Sequence, residues 1–201
     1  MKGSERLSLD FRERMRTMKK PDTLHWTFSA LFLALGFVLP FLTMQIPEIG
    51  RMLLPMHLPV LLCGFVCGWP YGLLVGFVTP LLRSLFLGMP PMLPMGTASA
   101  IAMAFELAAY GFITGLLFTR LRFGRARIFI SLLIAMLGGR LVWGLAIWLL
   151  YALLMPVPFT LALFWADAFV GAWPGILVQW VLVPLIVLAW ENVRVIPLRS
   201  R

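Results

Sequence analysis

Apolar residues run along this chain in blocks rather than in stripes. Residues 26–44, "WTFSALFLALGFVLPFLTM", carry no charge, and comparable apolar blocks recur at 56–68, 71–88, 97–118, 128–155 and 161–190. Most are about 17 to 30 residues long, the length an α-helix needs to cross roughly 30 Å of hydrocarbon. Sustained alternation of apolar and polar residues, the mark of a membrane β-barrel, is absent. The pattern predicts an all-α integral membrane protein, a six-transmembrane-helix bundle. The second block is short, and the "GWPYG" at 68–72 predicts a tight turn before the third. The sixth is longer than one upright helix requires, which predicts tilt, a kink at Pro174 or Pro184, or a start along the interface.

Composition agrees with that pattern and charge orients it. The chain is 61% hydrophobic and only 12% charged, which excludes an ordinary soluble domain. A net charge of +9 raises nucleic acid as a partner, but the basic residues sit at the flanks of the blocks instead of on one soluble face. Seven lie in the first twenty residues, four at Arg120, Arg122, Arg125 and Arg127, and three at Arg194, Arg199 and Arg201. Lys and Arg mark the cytoplasmic side of a membrane protein. With both termini cytoplasmic, fourteen of the seventeen basic residues fall inside, Arg51 outside, and Arg83 and Arg140 within the membrane. The organisation predicted is a basic cytoplasmic leader at 1–23, a six-helix membrane domain at 24–191 and a basic cytoplasmic tail at 192–201. The leader is long and no small-residue cleavage site follows the first apolar run, so that run is expected to remain as a helix.

Small residues recur at four-residue spacing: Gly64, Gly68, Gly72 and Gly76, then Gly111 with Gly115, Gly171 with Gly175, and Ala30 with Ala34. That spacing stacks them on one helix face and lets backbones approach closely. Most are expected to serve packing within the bundle, and at least one pair to face a partner protein.

Four charges interrupt the blocks: Arg83, Glu106, Arg140 and Asp167. Each costs roughly 2.5 to 3.5 kcal/mol near a bilayer centre on insertion scales, so they are expected to pair or to face a wet cavity. The predicted topology places all four in the outer half of the membrane or at mid-depth. Two readings stand. A polar pocket opening outward, roofed by the Pro-rich loop at 89–96, holds a small solute, with Tyr110, Trp143, Trp148, Trp165 and Trp173 offering flat surfaces and His57 lining the rim. Alternatively, Arg83 with Glu106, or Arg140 with Asp167, are salt bridges that only hold helices together. Gln179 is expected to hydrogen-bond to another helix.

Catalysis finds little support. The chain has no HExxH, no GxSxG, and no Gly-rich phosphate loop followed by Lys, so any ATP that drives it is expected to be hydrolysed by another subunit. Cys63 and Cys67, one helical turn apart in an apolar block, imply no disulfide framework, and with His57 they match no known metal-ligand spacing. No catalytic residue, metal or cofactor is expected.

The stretch "MHLPVLLCGFVCGWPYGLLVGFVTPLLRSLFLGMPP" through "MAFELAAYGFITGLLF", residues 56–118, resembles the substrate-binding S components of energy-coupling factor (ECF) transporters, prokaryotic vitamin importers of the ABC type. The resemblance implies capture of a water-soluble vitamin or precursor from outside, with toppling of the bundle in the cell membrane. Its partners would be a T component and two cytoplasmic ATPase subunits. It also implies a small-residue AxxxA face on the first helix that meets the T component, and Ala30 and Ala34 fit that pattern. The candidate substrate-binding set is then Arg83, Glu106, Tyr110, Arg140, Trp143, Asp167 and His57. Two cations and two carboxylates suit a zwitterionic or polar heteroaromatic solute, such as a vitamin B6 form or a hydroxymethylpyrimidine, slightly better than a dianion. Pantothenate stays open, and cobalamin is the outlier. The alternative function is a stand-alone secondary carrier or channel that uses the same acids as proton relays.

Overall fold

A computed structural model describes residues 23–43, 54–94, 98–156 and 158–193, and the regular elements among them are helices. Helix α1 spans Thr23–Val38 and runs on as a 3-10 helix over Leu39–Thr43. It is followed by α2 at His57–Cys67, α3 at Trp69–Leu87, α4 at Ala100–Arg120 and α5 at Ala126–Leu154. Helix α6 at Leu161–Trp165 continues as a π-helical turn over Ala166–Val170, and α7 spans Trp173–Val193. Among the described residues, five stretches are long and apolar enough to cross a membrane: Thr23–Phe41, α3, α4, α5 and Trp173–Asn192. The predicted leader up to residue 22, the loop carrying Glu48 and Arg51, the end of the Pro-rich loop and the basic tail from residue 194 lie outside the described residues, while Thr23 belongs to α1 and Asn192 and Val193 to α7.

The second apolar block differs from a full span. Helix α2 has eleven residues, and at 1.5 Å per residue reaches about 16 Å, half the hydrocarbon thickness. Ten of those eleven residues are buried, so this helix is enclosed by its neighbours and needs no lipid-facing surface. The turn expected over 68–72 shrinks to Gly68 alone, whose φ of 93° and ψ of 173° lie where only glycine sits at little cost. Trp69 already begins α3, and Pro70 occupies its first turn, where its missing N–H leaves no hydrogen bond unmade. At the far end, left-handed Gly88 closes α3, its N–H donating to Ser84 O at 2.9 Å.

The sixth block is broken rather than merely tilted. Gly171 N donates to Ala166 O at 2.7 Å, five residues back, and the chain turns through Gly171 and Ala172 before α7 begins. The break falls directly before Pro174, in the first turn of α7, where a proline ring continuing the helix would press on the carbonyl of Val170. Pro184 sits inside α7 without ending it.

The centre of the bundle is built by backbone contact. A Cβ on Gly72 would fall 2.6 Å from Gly111 O, and one on Gly64 would fall 2.7 Å from the same oxygen. A Cβ on Gly76 would collide with Leu107 O, and one on Gly115 with the Trp69 backbone. Helices α2, α3 and α4 therefore touch without intervening side chains, the packing mode that small residues at four-residue spacing permit. These contacts fix α3 antiparallel to α4, with Gly76 level with Leu107 and Gly72 level with Gly111. Helix α1 packs on this core through Ser29, Phe32 and Gly36, while Ala30 and Ala34 are exposed on its opposite side beside Leu31 and Leu35.

Candidate functional site

Glu106, 2% exposed, is the meeting point of three helices. Its Oε1 lies 2.9 Å from Arg140 Nη1 on α5 and 3.5 Å from His57 Nε2 at the start of α2. Tyr110, one helical turn further along α4, donates its hydroxyl to the same oxygen at 3.2 Å. The His57 and Tyr110 rings meet edge to face with centroids 5.3 Å apart. A buried carboxylate is tolerable only with a cation and hydrogen-bond donors around it, and Glu106 has both. The approach of α5 depends on Gly139, where a Cβ would fall 2.6 Å from Tyr110 Cε1. The residue beside Arg140 thus sets how near its guanidinium comes to Glu106.

Trp143, three residues beyond Arg140, is buried and stacks on Phe164 at 6.2 Å while meeting Phe159 edge-on at 6.1 Å. Gly144 admits the Phe164 ring, since a Cβ there would collide with it. Helix α6 and the segment before it therefore close one end of the site with aromatic surface. A small cleft of about 80 Å³ lies between α5 and α7, lined by Leu133, Met136, Leu137, Phe169, Ile176 and Trp180, with Arg140 as its one charged lining residue.

The remaining candidates are placed differently. Arg83 is buried on α3 but forms no ion pair among the described residues, because the α3–α4 register puts it level with the first turn of α4, well away from Glu106. Asp167 is half-buried in the π-helical turn and likewise has no ion-pair partner among the described residues. The pairings expected from depth, Arg83 with Glu106 or Arg140 with Asp167, are thus replaced by Arg140 with Glu106. His57 is 1% exposed and lies inside the bundle, not at a rim. Trp148, Trp165 and Trp173 are each more than half exposed and turn away from the site. Gln179 is buried with neither amide atom hydrogen-bonded among the described residues, contrary to the expected bond to another helix.

Two features escape a reading of the sequence. The Gly138–Gly139 doublet next to Arg140 is a usable signal for close approach, whereas the aromatic partners Phe159 and Phe164 look like any interfacial residues. At the opposite end of the bundle, Arg127 Nη2 bonds Glu191 Oε1 at 2.7 Å and its guanidinium lies 4.2 Å above the Phe118 ring, tying α5 to α7 and α4. Among the described residues no group of three His, Cys, Asp or Glu side chains is placed to hold a metal.

Comparison with known proteins gives one answer. No curated protein and no solved structure matches the chain. Residues 24–188, about four-fifths of the chain, match the family model described as ECF transporter, substrate-specific component. That family comprises substrate-binding transport subunits rather than enzymes, and its helices make this a multi-pass plasma membrane protein. The stretch at 56–118 that resembles such components is thus the centre of a match across the membrane-embedded chain, and this protein belongs to the family of ECF transporter substrate-specific components.

Proposed function

We propose that this component captures a small water-soluble vitamin or precursor from outside and delivers it inward together with a T component and two cytoplasmic ATPase subunits. The observation that carries the reading is the buried cluster of Glu106, Arg140, Tyr110 and His57, bordered by Trp143 and by the α5–α7 cleft. A cluster that served only to join helices would be complete in itself. Here Arg140 keeps Nε and Nη2 without partners although both are shut away from solvent. A polar solute with an aromatic or apolar body suits such a place, its polar group on Arg140 and its body against the rings.

The same reading takes α1, α2, α3, α4 and α5 as successive crossings, with α6 and α7 together forming the sixth. Both termini are then cytoplasmic, in keeping with the basic residues at Arg120, Arg122, Arg125 and Arg127 on the inner side. Arg83, Glu106, Arg140, Trp143, Asp167 and His57 fall toward the outer half. Ala30 and Ala34, exposed on α1, are the surface for the T component.

The test is uptake and binding in parallel. Purified protein in nanodiscs is expected to release a vitamin-sized molecule on denaturation, and cells carrying it are expected to accumulate that molecule only with working ATPase partners. Accumulation that persists without the ATPases and follows the proton gradient would show a secondary carrier instead.

A further inference from the structure

The described residues bury two guanidiniums against one carboxylate. Arg83 and Arg140 are 4% and 6% exposed, and Glu106 is 2% exposed. Glu106 is committed: its Oε1 receives Arg140 Nη1 and the Tyr110 hydroxyl. Asp167, only half-buried, makes no ion pair with either arginine. One positive charge inside the bundle is therefore unmatched among the described residues, and an unmatched buried charge is among the most costly arrangements a protein can hold.

The free atoms have a shape. Arg140 meets Glu106 through Nη1, and the two nitrogens left without partners, Nε and Nη2, are those whose N–H bonds point side by side along the guanidinium edge. That edge matches the paired oxygens of a carboxylate or phosphate. Arg83 Nε is also buried and without a partner. Since Gly76 stands level with Leu107, Arg83 stands level with Ala100, about 9 Å along the bundle from Glu106 at 1.5 Å per residue. A second buried cation thus lies farther along the bundle, on the α3 side of α4.

We infer that the solute is an oxyanion: it carries a carboxylate or phosphate that seats on the Nε–Nη2 edge of Arg140, with Arg83 supplying the balancing field. This rests on the substrate-binding reading above and narrows it. A neutral heteroaromatic solute fits less well, because it would leave the Nε–Nη2 edge of Arg140 without an anionic partner.

The experiment uses the full chain in nanodiscs after removal of any co-purified molecule, with thermal unfolding followed in the presence of matched pairs. The pairs are pantothenate and panthenol, nicotinate and nicotinamide, and pyridoxal 5′-phosphate and pyridoxal. The first and second set the carboxylate against its neutral counterpart and the third does the same for phosphate. The molecule released on denaturation is identified by mass in parallel. An acidic member that binds on the order of a hundredfold more tightly than its neutral partner, with the difference lost in Arg140→Gln, is the expected result. A released molecule bearing an acidic group supports the inference equally. A neutral member binding as well as its acid, or a released molecule without an acidic group, overturns the inference and leaves the substrate-binding reading standing. No released molecule and no shift by any member overturn both. Should Arg140→Gln fail to fold, Arg83→Gln in the emptied protein decides: removing an unmatched buried cation raises the unfolding midpoint, and a fall overturns the inference.

Discussion

Arg140 Nη1 and Glu106 Oε1 lie 2.9 Å apart with 7% and 2% of their side chains exposed, joining α5 to α4 in the middle of the bundle. Breaking such a pair from one side leaves the other charge stranded, which costs about 3 to 5 kcal/mol in buried ion pairs. Glu106→Gln is therefore expected to lower the unfolding midpoint strongly, and Glu106→Gln with Arg140→Met to recover much of the loss. Thermal unfolding of the two single variants and the double variant in nanodiscs checks it. Additive losses would mean the two residues do not act as a pair.

Tyr110→Phe isolates one hydrogen bond. The ring stays packed against His57 and Gly139, and only the hydroxyl that donates to Glu106 at 3.2 Å is lost. Hydrogen bonds to charged groups contribute about 1.5 to 3 kcal/mol, and the length of this one places it at the low end. A reduction of about 1.5 kcal/mol in unfolding free energy is expected from that range, measured by denaturant titration in mixed micelles. No change would mean that Arg140 and His57 already satisfy the carboxylate.

Gly111→Ala is expected to be far more damaging than Gly88→Ala. A methyl group on Gly111 is driven into the Gly72 backbone, and neither helix can move without parting α2, α3 and α4. Overpacking of this kind costs about 1 to 3 kcal/mol or more. Gly88 has open space around its Cβ position and bears only the strain of its left-handed φ of 69°, about 1 kcal/mol for a residue other than glycine. Comparing midpoints of the two variants checks the order, and equal midpoints would remove the backbone contact as the centre of the fold.

These glycines also show what the sequence makes legible. Block length and hydropathy locate the helices to within a few residues, because desolvating a helix backbone in lipid demands a long apolar run. The four-residue spacing of Gly64, Gly72 and Gly76 likewise announces a packed face. Hydropathy does not register the break at Gly171, since both sides of it are equally apolar. Nor does depth along a helix give the direction a side chain faces, which is why Arg83 and Arg140 look interchangeable as partners for Glu106 until the glycine contacts set the register. The tryptophans fail for a related reason: the residue type suits both an interface and a ligand site, and only packing tells Trp143 from Trp148.

Arg127 is expected to matter more than the residue it pairs with. Its guanidinium bonds Glu191 at 2.7 Å and also lies over the Phe118 ring, with about a quarter of each ion-pair side chain exposed. Glu191→Gln removes only a partly screened ion pair, worth up to about 1 kcal/mol. Arg127→Ala removes the ion pair, the ring contact and the packing of the side chain together, and is expected to cost about twice as much. Midpoints for both variants at low and high salt check this, with salt moving the native protein toward the Glu191→Gln value. A larger loss from Glu191→Gln would reverse the assignment.

Under the proposed function, Ala30 and Ala34 separate assembly from capture. Both are exposed on α1, on the side opposite Ser29, Phe32 and Gly36, which face the bundle. A leucine at either position therefore meets no neighbour within this chain, and single surface changes away from packing usually stay within about 0.5 kcal/mol. Contact between helices through small residues tolerates no such addition, because the extra side chain pushes the backbones apart. Ala30→Leu with Ala34→Leu is expected to leave the unfolding midpoint and solute binding of the isolated component unchanged while preventing its recovery with the T component and abolishing uptake. Co-purification from cells expressing all the subunits, alongside binding by the isolated variant, checks both halves. Retained assembly would move the partner surface elsewhere on the bundle, and lost solute binding would show that α1 shapes the site.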